Sequence, residues 1–395
     1  MLRGFLLSGI AGSSRKRSSI QLSVIIVAML MMTISCGDPQ LVNTDPGETI
    51  PPVSTKSIAV TTIAGDYSAA NFEIISGSDY TLRPNLIDGL YTDLAIRAFG
   101  AGVYILERDG RDNVLKYDAA TMTRAYQENI GVGLNIQDIA VASETKAYIS
   151  CYNSNDIVIF NPATGRREPG AIDMSRFVAF AGTDSAEAYP YISALAIHGN
   201  YLYAACQRLM IGQTFYGPAP VPGDTSIIAV IDTRSNEIVA EIKLNKKNPA
   251  YMDILGDRMI VSSTGSFEDA ATGGAEMIDL GTNENMGIAA EGAAFGGNVM
   301  NVIMVSMDKA YIAVMSDDWT TGIVPFNPTT GAVGAKIDGI GDGFGGMAYD
   351  GEKLYVGDRG FESAGVAVIN TSTDTVEQKI ATSMPPSSLA IIYMD

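Results

Sequence analysis

The chain has 395 residues, 47% of them hydrophobic, with 41 glycines, 16 prolines and a formal net charge of −18. That apolar fraction excludes a disordered chain, and the acidic balance makes nucleic acid a poor partner because such a surface repels phosphate backbones. The 1 histidine, His198, falls in a turn between strands, which nearly excludes a Ser-His-Asp triad, a His-ligated zinc and a haem held by histidine.

Residues 1–35 read as an export signal. Arg15-Lys16-Arg17 precedes an apolar run from Leu22 to Ile34, short of the ~20 residues that span a bilayer as a helix but suited to a signal sequence. Ser35-Cys36-Gly37 follows directly. A small residue and then cysteine in this place resembles a bacterial lipobox, which implies lipidation of Cys36; simple signal cleavage and an uncleaved anchor are the alternatives. Gly37 after the cysteine resembles outer-membrane sorting, so the expected location is the cell envelope, lipid-anchored at the outer membrane or cell surface. Losing Arg3, Arg15, Lys16 and Arg17 leaves 22 of the 26 basic residues against 44 acidic ones, net −22. Residues 36–56, with prolines at 39, 46, 51 and 52, read as a flexible tether.

From residue 57 to the end one unit recurs. Its first strand is short and apolar: Leu94-Ala-Ile, Ile139-Ala-Val, Leu195-Ala-Ile, Met252-Asp-Ile, Val302-Ile-Met, Met347-Ala-Tyr and Leu389-Ala-Ile. A polar turn such as His198-Gly-Asn leads to a second strand that repeats tyrosine, as in Val103-Tyr-Ile-Leu, Ala147-Tyr-Ile-Ser and Ala310-Tyr-Ile-Ala. The third strand and its turn are the clearest part, as in Ile228-Ala-Val-Ile-Asp-Thr-Arg-Ser-Asn and Ile323-Val-Pro-Phe-Asn-Pro-Thr-Thr-Gly. Alternating apolar residues make a half-buried strand, and the Asx, Thr and Gly positions reverse the chain. A fourth strand follows, for example Ile238-Val-Ala-Glu-Ile-Lys-Leu. Four antiparallel strands per unit make a propeller blade.

Seven first strands predict an all-β, seven-bladed β-propeller. The last unit holds one strand, Leu389 to Tyr393, and its missing three fit Ile58-Ala-Val, Phe72-Glu-Ile-Ile and Leu82 to Ile87. One blade is therefore expected to be shared between the termini, which removes free sheet edges. The third and last units, Ile227 to Leu244 and Val366 to Ile380, resemble the YVTN-type, surface-layer-like propeller repeat. That resemblance implies a fold and a surface location, and no single activity.

Among residues that carry chemistry, His198 lies in a hairpin turn and reads as a solvated turn residue. Cys151 and Cys206 hold equivalent places in neighbouring blades, too far apart for a disulfide, and read as buried thiols. Gly339 to Gly346 lacks the Gly-Lys-Ser/Thr of a phosphate loop and reads as a flexible connection. The residues opening the first strands are Asp93, Asp138, Ala194, Tyr251, Asn301, Gly346 and Ser388. Asp93 and Asp138, from adjacent blades, are a candidate shared Ca²⁺ site with Asn301 reaching it, or two solvated carboxylates. No other cofactor is expected.

The second-to-third and fourth-to-first loops share one face and are longest around blades two to four. Arg208, Phe215, Tyr216 and Phe267, with Trp319 and Phe361 nearby, are the candidate anchors of a binding surface, because aromatic residues and arginine serve that purpose at interfaces; packing of the rings onto the blade tops is the alternative. The function expected is a binding or scaffold module for a protein, glycan or envelope partner. The alternative is a metal-dependent enzyme resembling propeller lactonases or quinoproteins.

Overall fold

The structure, a computed structural model, describes residues 56–179, 188–214, 217–223, 225–361 and 363–393. Cys36, the export signal and the tether up to residue 55 lie outside the described residues, as do Phe215 and Tyr216; Lys56, assigned above to the tether, opens a strand.

The chain forms a seven-bladed β-propeller. Blade one runs outward through Leu94–Phe99, Gly102–Glu107, Asn113–Asp118 and Arg124–Asn129, each antiparallel to the last. Blade seven closes the ring: the C-terminal strand Pro386–Tyr393 is innermost and pairs with Lys56–Ile63, which continues through Ala70–Ser76 to Leu82–Ile87. The shared blade expected from the repeat is thus present.

Two local departures have clear causes. In blade five the regular strands are Asn298–Ser306, Lys309–Met315 and Thr321–Phe326, and the outer strand is irregular. Pro325 has no N–H to donate there, and the returning chain attaches through Gly334 N to Pro325 O and Ile337 N to Ile323 O. Between the second and third strands of blade three, an inserted hairpin pairs Leu209–Thr214 with Gly217–Pro222.

The core lies between blades rather than within one. Seven apolar clusters each join two neighbouring sheets, for example Tyr104, Leu106 and Val114 of blade one against Ile139, Ile149 and Phe160 of blade two. At three boundaries the repeated tyrosine also ties one sheet to the next. Tyr148 Oη donates to Asn236 Oδ1 at 2.8 Å, Tyr203 Oη to Asn283 Oδ1 at 2.7 Å and Tyr311 Oη to Asp374 Oδ1 at 2.5 Å, each acceptor lying in the next blade's third-to-fourth turn. Those acceptors have φ of 62°, 57° and 58°, a conformation that Asn and Asp tolerate well.

Buried carboxylates order the connections on the loop face. Asp358 is fully buried and accepts from Gly341 N, Asp342 N, Gly360 N and Lys379 Nζ. Burial would raise its pKa, but these donors outweigh burial and hold it below the usual carboxylate range. The Gly339 to Gly346 segment, read above as a flexible connection, is therefore pinned by a carboxylate. Glu276 likewise takes Asn245 N and Lys246 N, and Asp112 takes Leu134 N and Ile136 N.

Candidate functional site: the channel mouth and the loop face

Strand register decides which side chains share a level in the central channel. Arg97 pairs with Tyr104 and Ala140 with Tyr148, so Ala95, and not Asp93, stands level with Asp138. Asp93 lies two residues further out. It is held within its own blade by Arg108, through Nε at 2.8 Å and Nη2 at 2.5 Å, and Arg108 Nη1 donates to Gln137 Oε1. The structure does not bring Asp93 and Asp138 together.

Asp138 is instead a seam between three blades. Its Oδ1 accepts from Ile139 N at 2.8 Å and pairs with Arg97 Nε of blade one at 2.8 Å, while Oδ2 accepts from Leu195 N of blade three at 2.9 Å. Ser388 Oγ accepts from Ile96 N in the equivalent way, at 3.4 Å. A cation bound between Asp93 and Asp138 would have to displace two guanidinium groups. Among the described residues, no group of three or more His, Cys, Asp or Glu is placed to hold a metal. Asn301, on the bulged first strand of blade five, has its Oδ1 buried without a hydrogen-bond partner.

Three channel residues add to this set. Arg97 crosses the channel so that its guanidinium carbon lies 5.8 Å from the ring centroid of Tyr251 in blade four. Burial opposes its charge, but Asp138 and the Tyr251 hydroxyl outweigh burial and raise its pKa. Asp253, two residues past Tyr251, accepts from Met304 N of blade five at 2.7 Å. Desolvation pushes its carboxyl up to about 6, offset in part by backbone N–H groups of Met304 and Ile254. The signal for Arg97 and Asp253 was a charge within an apolar alternation, Leu94-Ala-Ile-Arg and Met252-Asp-Ile; nothing in the repeat says which blade such a charge will reach.

On the loop face the candidate anchors divide. Arg208 is not free to meet a partner, since its Nε donates to Phe177 O and its Nη1 to Thr225 O. Tyr191 packs edge-on against Tyr152 and Tyr189, with ring centroids 5.0 and 6.0 Å apart. These are the packed rings of the alternative reading. Phe267 (56% exposed), Trp319 (45%) and Phe361 (105%) are open to solvent, as is Phe344 (45%). They belong to blades four to six, so the described exposed rings lie further round the ring than the long loops suggested. Phe267 and Trp319 meet across the boundary between blades four and five, with centroids 6.3 Å apart and planes inclined by 34°.

Elsewhere, His198 Nε2 lies 3.0 Å from Asp257 Oδ1 of the next blade's turn. Cys151 and Cys206 are free and buried, and desolvation pushes each thiol up to about 12, which leaves them unreactive.

The chain matches no family model and no characterised protein sequence. Among solved structures it is similar to the Kuenenia stuttgartiensis hydrazine synthase, with a TM-score of 0.55 and 16% identity over 75% of this chain and 88% of that one. It is also similar to the dihydro-heme d1 dehydrogenase NirN, with a TM-score of 0.52 and 15% identity over 93% of this chain and 85% of that one. At such identities the likeness defines a class, the β-propellers, and carries no activity across.

Proposed function

We propose that this protein is an envelope lipoprotein of the YVTN-type repeat class, anchored through Cys36, whose propeller binds a partner on the loop face of blades four to six. The observation that carries the binding role is the Phe267–Trp319 pair. Two large rings from different blades meet in solvent, at 56% and 45% exposure, where neither closes a core. Exposed rings on loops held by a rigid scaffold are the usual form of a recognition surface. The test is capture from native envelope by the purified propeller. Loss of the captured component on Phe267→Ala with Trp319→Ala, at unchanged melting, supports the reading; full retention refutes it. The anchor is tested separately: Cys36→Ser should move the protein out of the membrane fraction, because the cleaved chain would then carry no acyl group.

The alternative is a propeller enzyme. Its support is that the structural neighbours are, by name, a hydrazine synthase and a dehydrogenase, and that Arg97, Tyr251 and Asp253 bring opposed charges into the channel. A stoichiometric metal ion found in the purified protein would favour it.

A further inference from the structure

Trp319 sits in a conformation that its side chain does not favour. Its φ is 67°, where a bulky residue costs roughly 1–2 kcal/mol relative to the right-handed form. Other large residues with positive φ recover that cost in packing or hydrogen bonds. Tyr67 and Met122 pack against one apolar cluster, Tyr80 against another, Tyr191 is buried, and Arg208 is bonded to two carbonyls. Among the described large side chains at positive φ, Trp319 alone is exposed, at 45%.

The turn is nonetheless built to hold it there. Trp319 N donates to Ser316 O at 2.9 Å, and Asp318 Oδ1 accepts from Ser316 Oγ, Thr320 N and Thr320 Oγ1 at 2.9, 3.0 and 2.7 Å. Those bonds draw the Asp318 carboxyl down to about 2. Blade four presents Phe267 from a matching turn, where Ser266 pairs with Asp269 and Ser266 N donates to Thr272 Oγ1 at 2.7 Å. A side chain held in strain, unburied, beside a ring from the next blade is placed for a ligand and not for folding.

The surroundings decide the ligand class. The two turns also expose Glu268, Asp269, Asp317 and Asp318, so an anionic partner is repelled. A protein partner of ordinary size would need a broad apolar centre depleted of charge, whereas here two rings stand among four carboxylates. Ring faces that stack on C–H surfaces, bordered by oxygens that accept hydrogen bonds from hydroxyl groups, suit a sugar.

We propose that Phe267 and Trp319 form a stacking platform for a neutral oligosaccharide whose sugar rings present flat C–H faces. This rests on the loop-face reading above and names its ligand. Trp319 is the only tryptophan in the chain, so its emission reports directly on the site. Titration with cellohexaose and with chitohexaose should give a saturable change in emission with at least one of them. Phe267→Ala should weaken binding at least tenfold without moving the melting temperature. Trp319→Gly, followed by calorimetry, should abolish binding while the urea midpoint holds or rises, because glycine relieves the strained φ. Emission unmoved by both sugars at millimolar concentration overturns the proposal, as does marked destabilisation by Trp319→Gly. If the sugars fail while envelope capture still depends on Phe267 and Trp319, the loop face stands and its partner is a protein. If capture is lost as well, both readings fall.

Discussion

Removing one phenolic hydroxyl tests what joins the blades. Tyr203 Oη donates to Asn283 Oδ1 at 2.7 Å, from the second strand of blade three to the turn of blade four. Tyr203→Phe keeps the buried ring and deletes the hydrogen bond. Asn283 is part-exposed, so its amide regains water, and the loss should be about 1 kcal/mol, the net value of a neutral hydrogen bond. Tyr311→Phe should cost more, about 1.5 kcal/mol or above, because Asp374 is charged; Lys309, 2.7 Å from the same carboxylate, keeps that cost near the lower end. Tyr104 is the internal control. The matching turn position in blade two is Gly165, and Tyr104 has no hydroxyl acceptor among the described residues; its pKa is raised to about 12 by burial alone. Tyr104→Phe should therefore be neutral or slightly stabilising. The assay is equilibrium urea unfolding, comparing midpoints at constant m-value, with Asn283→Gly completing a double-mutant cycle. Equal costs for Tyr203→Phe and Tyr104→Phe, or a coupling of zero between Tyr203 and Asn283, would refute the latch.

Three further outcomes follow from buried charge and from closure. Asp358→Asn should cost about 3 kcal/mol or more, because the Lys379 ammonium and the inward N–H groups lose their carboxylate. Its depressed pKa means that this stabilisation is present above the ordinary carboxylate range and is lost as pH falls through the lowered value, so parent and variant should converge in acid unfolding. Asp253, raised to about 6, has the opposite sign: between roughly pH 4 and 6 the native state holds more protons than the unfolded chain, and stability falls as pH rises. Asp253→Asn should flatten that slope and gain up to about 3 kcal/mol at pH 8, less whatever the weaker acceptor gives up to Met304 N, as read by urea midpoints at pH 5 and 8. Deleting residues 386–395 removes the buried Leu389 and Ile392 and bares the edge of Lys56–Ile63; at roughly 1.5–3 kcal/mol per large apolar side chain the ring should open and associate, whereas an unchanged monomer by light scattering would contradict terminal closure.

The ring itself was legible because its cause is periodic. Every blade needs the same alternation and the same turn, so the repeat states the fold many times over, and three strands at one end with a single strand at the other state the closure. The latch was legible too, had the reach of the tyrosine been known. Where the turn position carries Asn236, Asn283 or Asp374, the preceding blade carries Tyr148, Tyr203 or Tyr311. Where the turn carries Gly331 or Met122, the preceding blade carries Ile260 or Ala59 at the equivalent position on its second strand. Two boundaries depart from it: Tyr104 faces Gly165, and Tyr355 faces Tyr80 and donates to Asp350 of its own blade. The pattern links residues about 60–90 positions apart, and no local period displays it.

The channel was less legible because its contacts run around the ring and not along the strand. Aligning Leu94-Ala-Ile with Ile139-Ala-Val places Asp93 beside Asp138, yet backbone pairing puts Ile96 level with Ile139 and carries Asp93 away from the channel row. A slip of two keeps every side chain on its own face, so the apolar pattern cannot detect it. Its consequence is chemical: with Ala95 in the row, Arg97 is free to meet Asp138, and a pair of acids that would attract a divalent cation becomes an ion pair with its charge already balanced. The loop face shows the converse. Composition named Phe267 and Trp319 but could not separate them from Tyr191, an equally aromatic loop residue. The separating quantity is burial: Tyr191 is 9% exposed, Phe267 56% and Trp319 45%. Tyr191 and Trp319 both have positive φ, and only Tyr191 is buried; on the proposal above, a strain of roughly 1 kcal/mol at an exposed ring sets Trp319 apart from a ring kept for the fold.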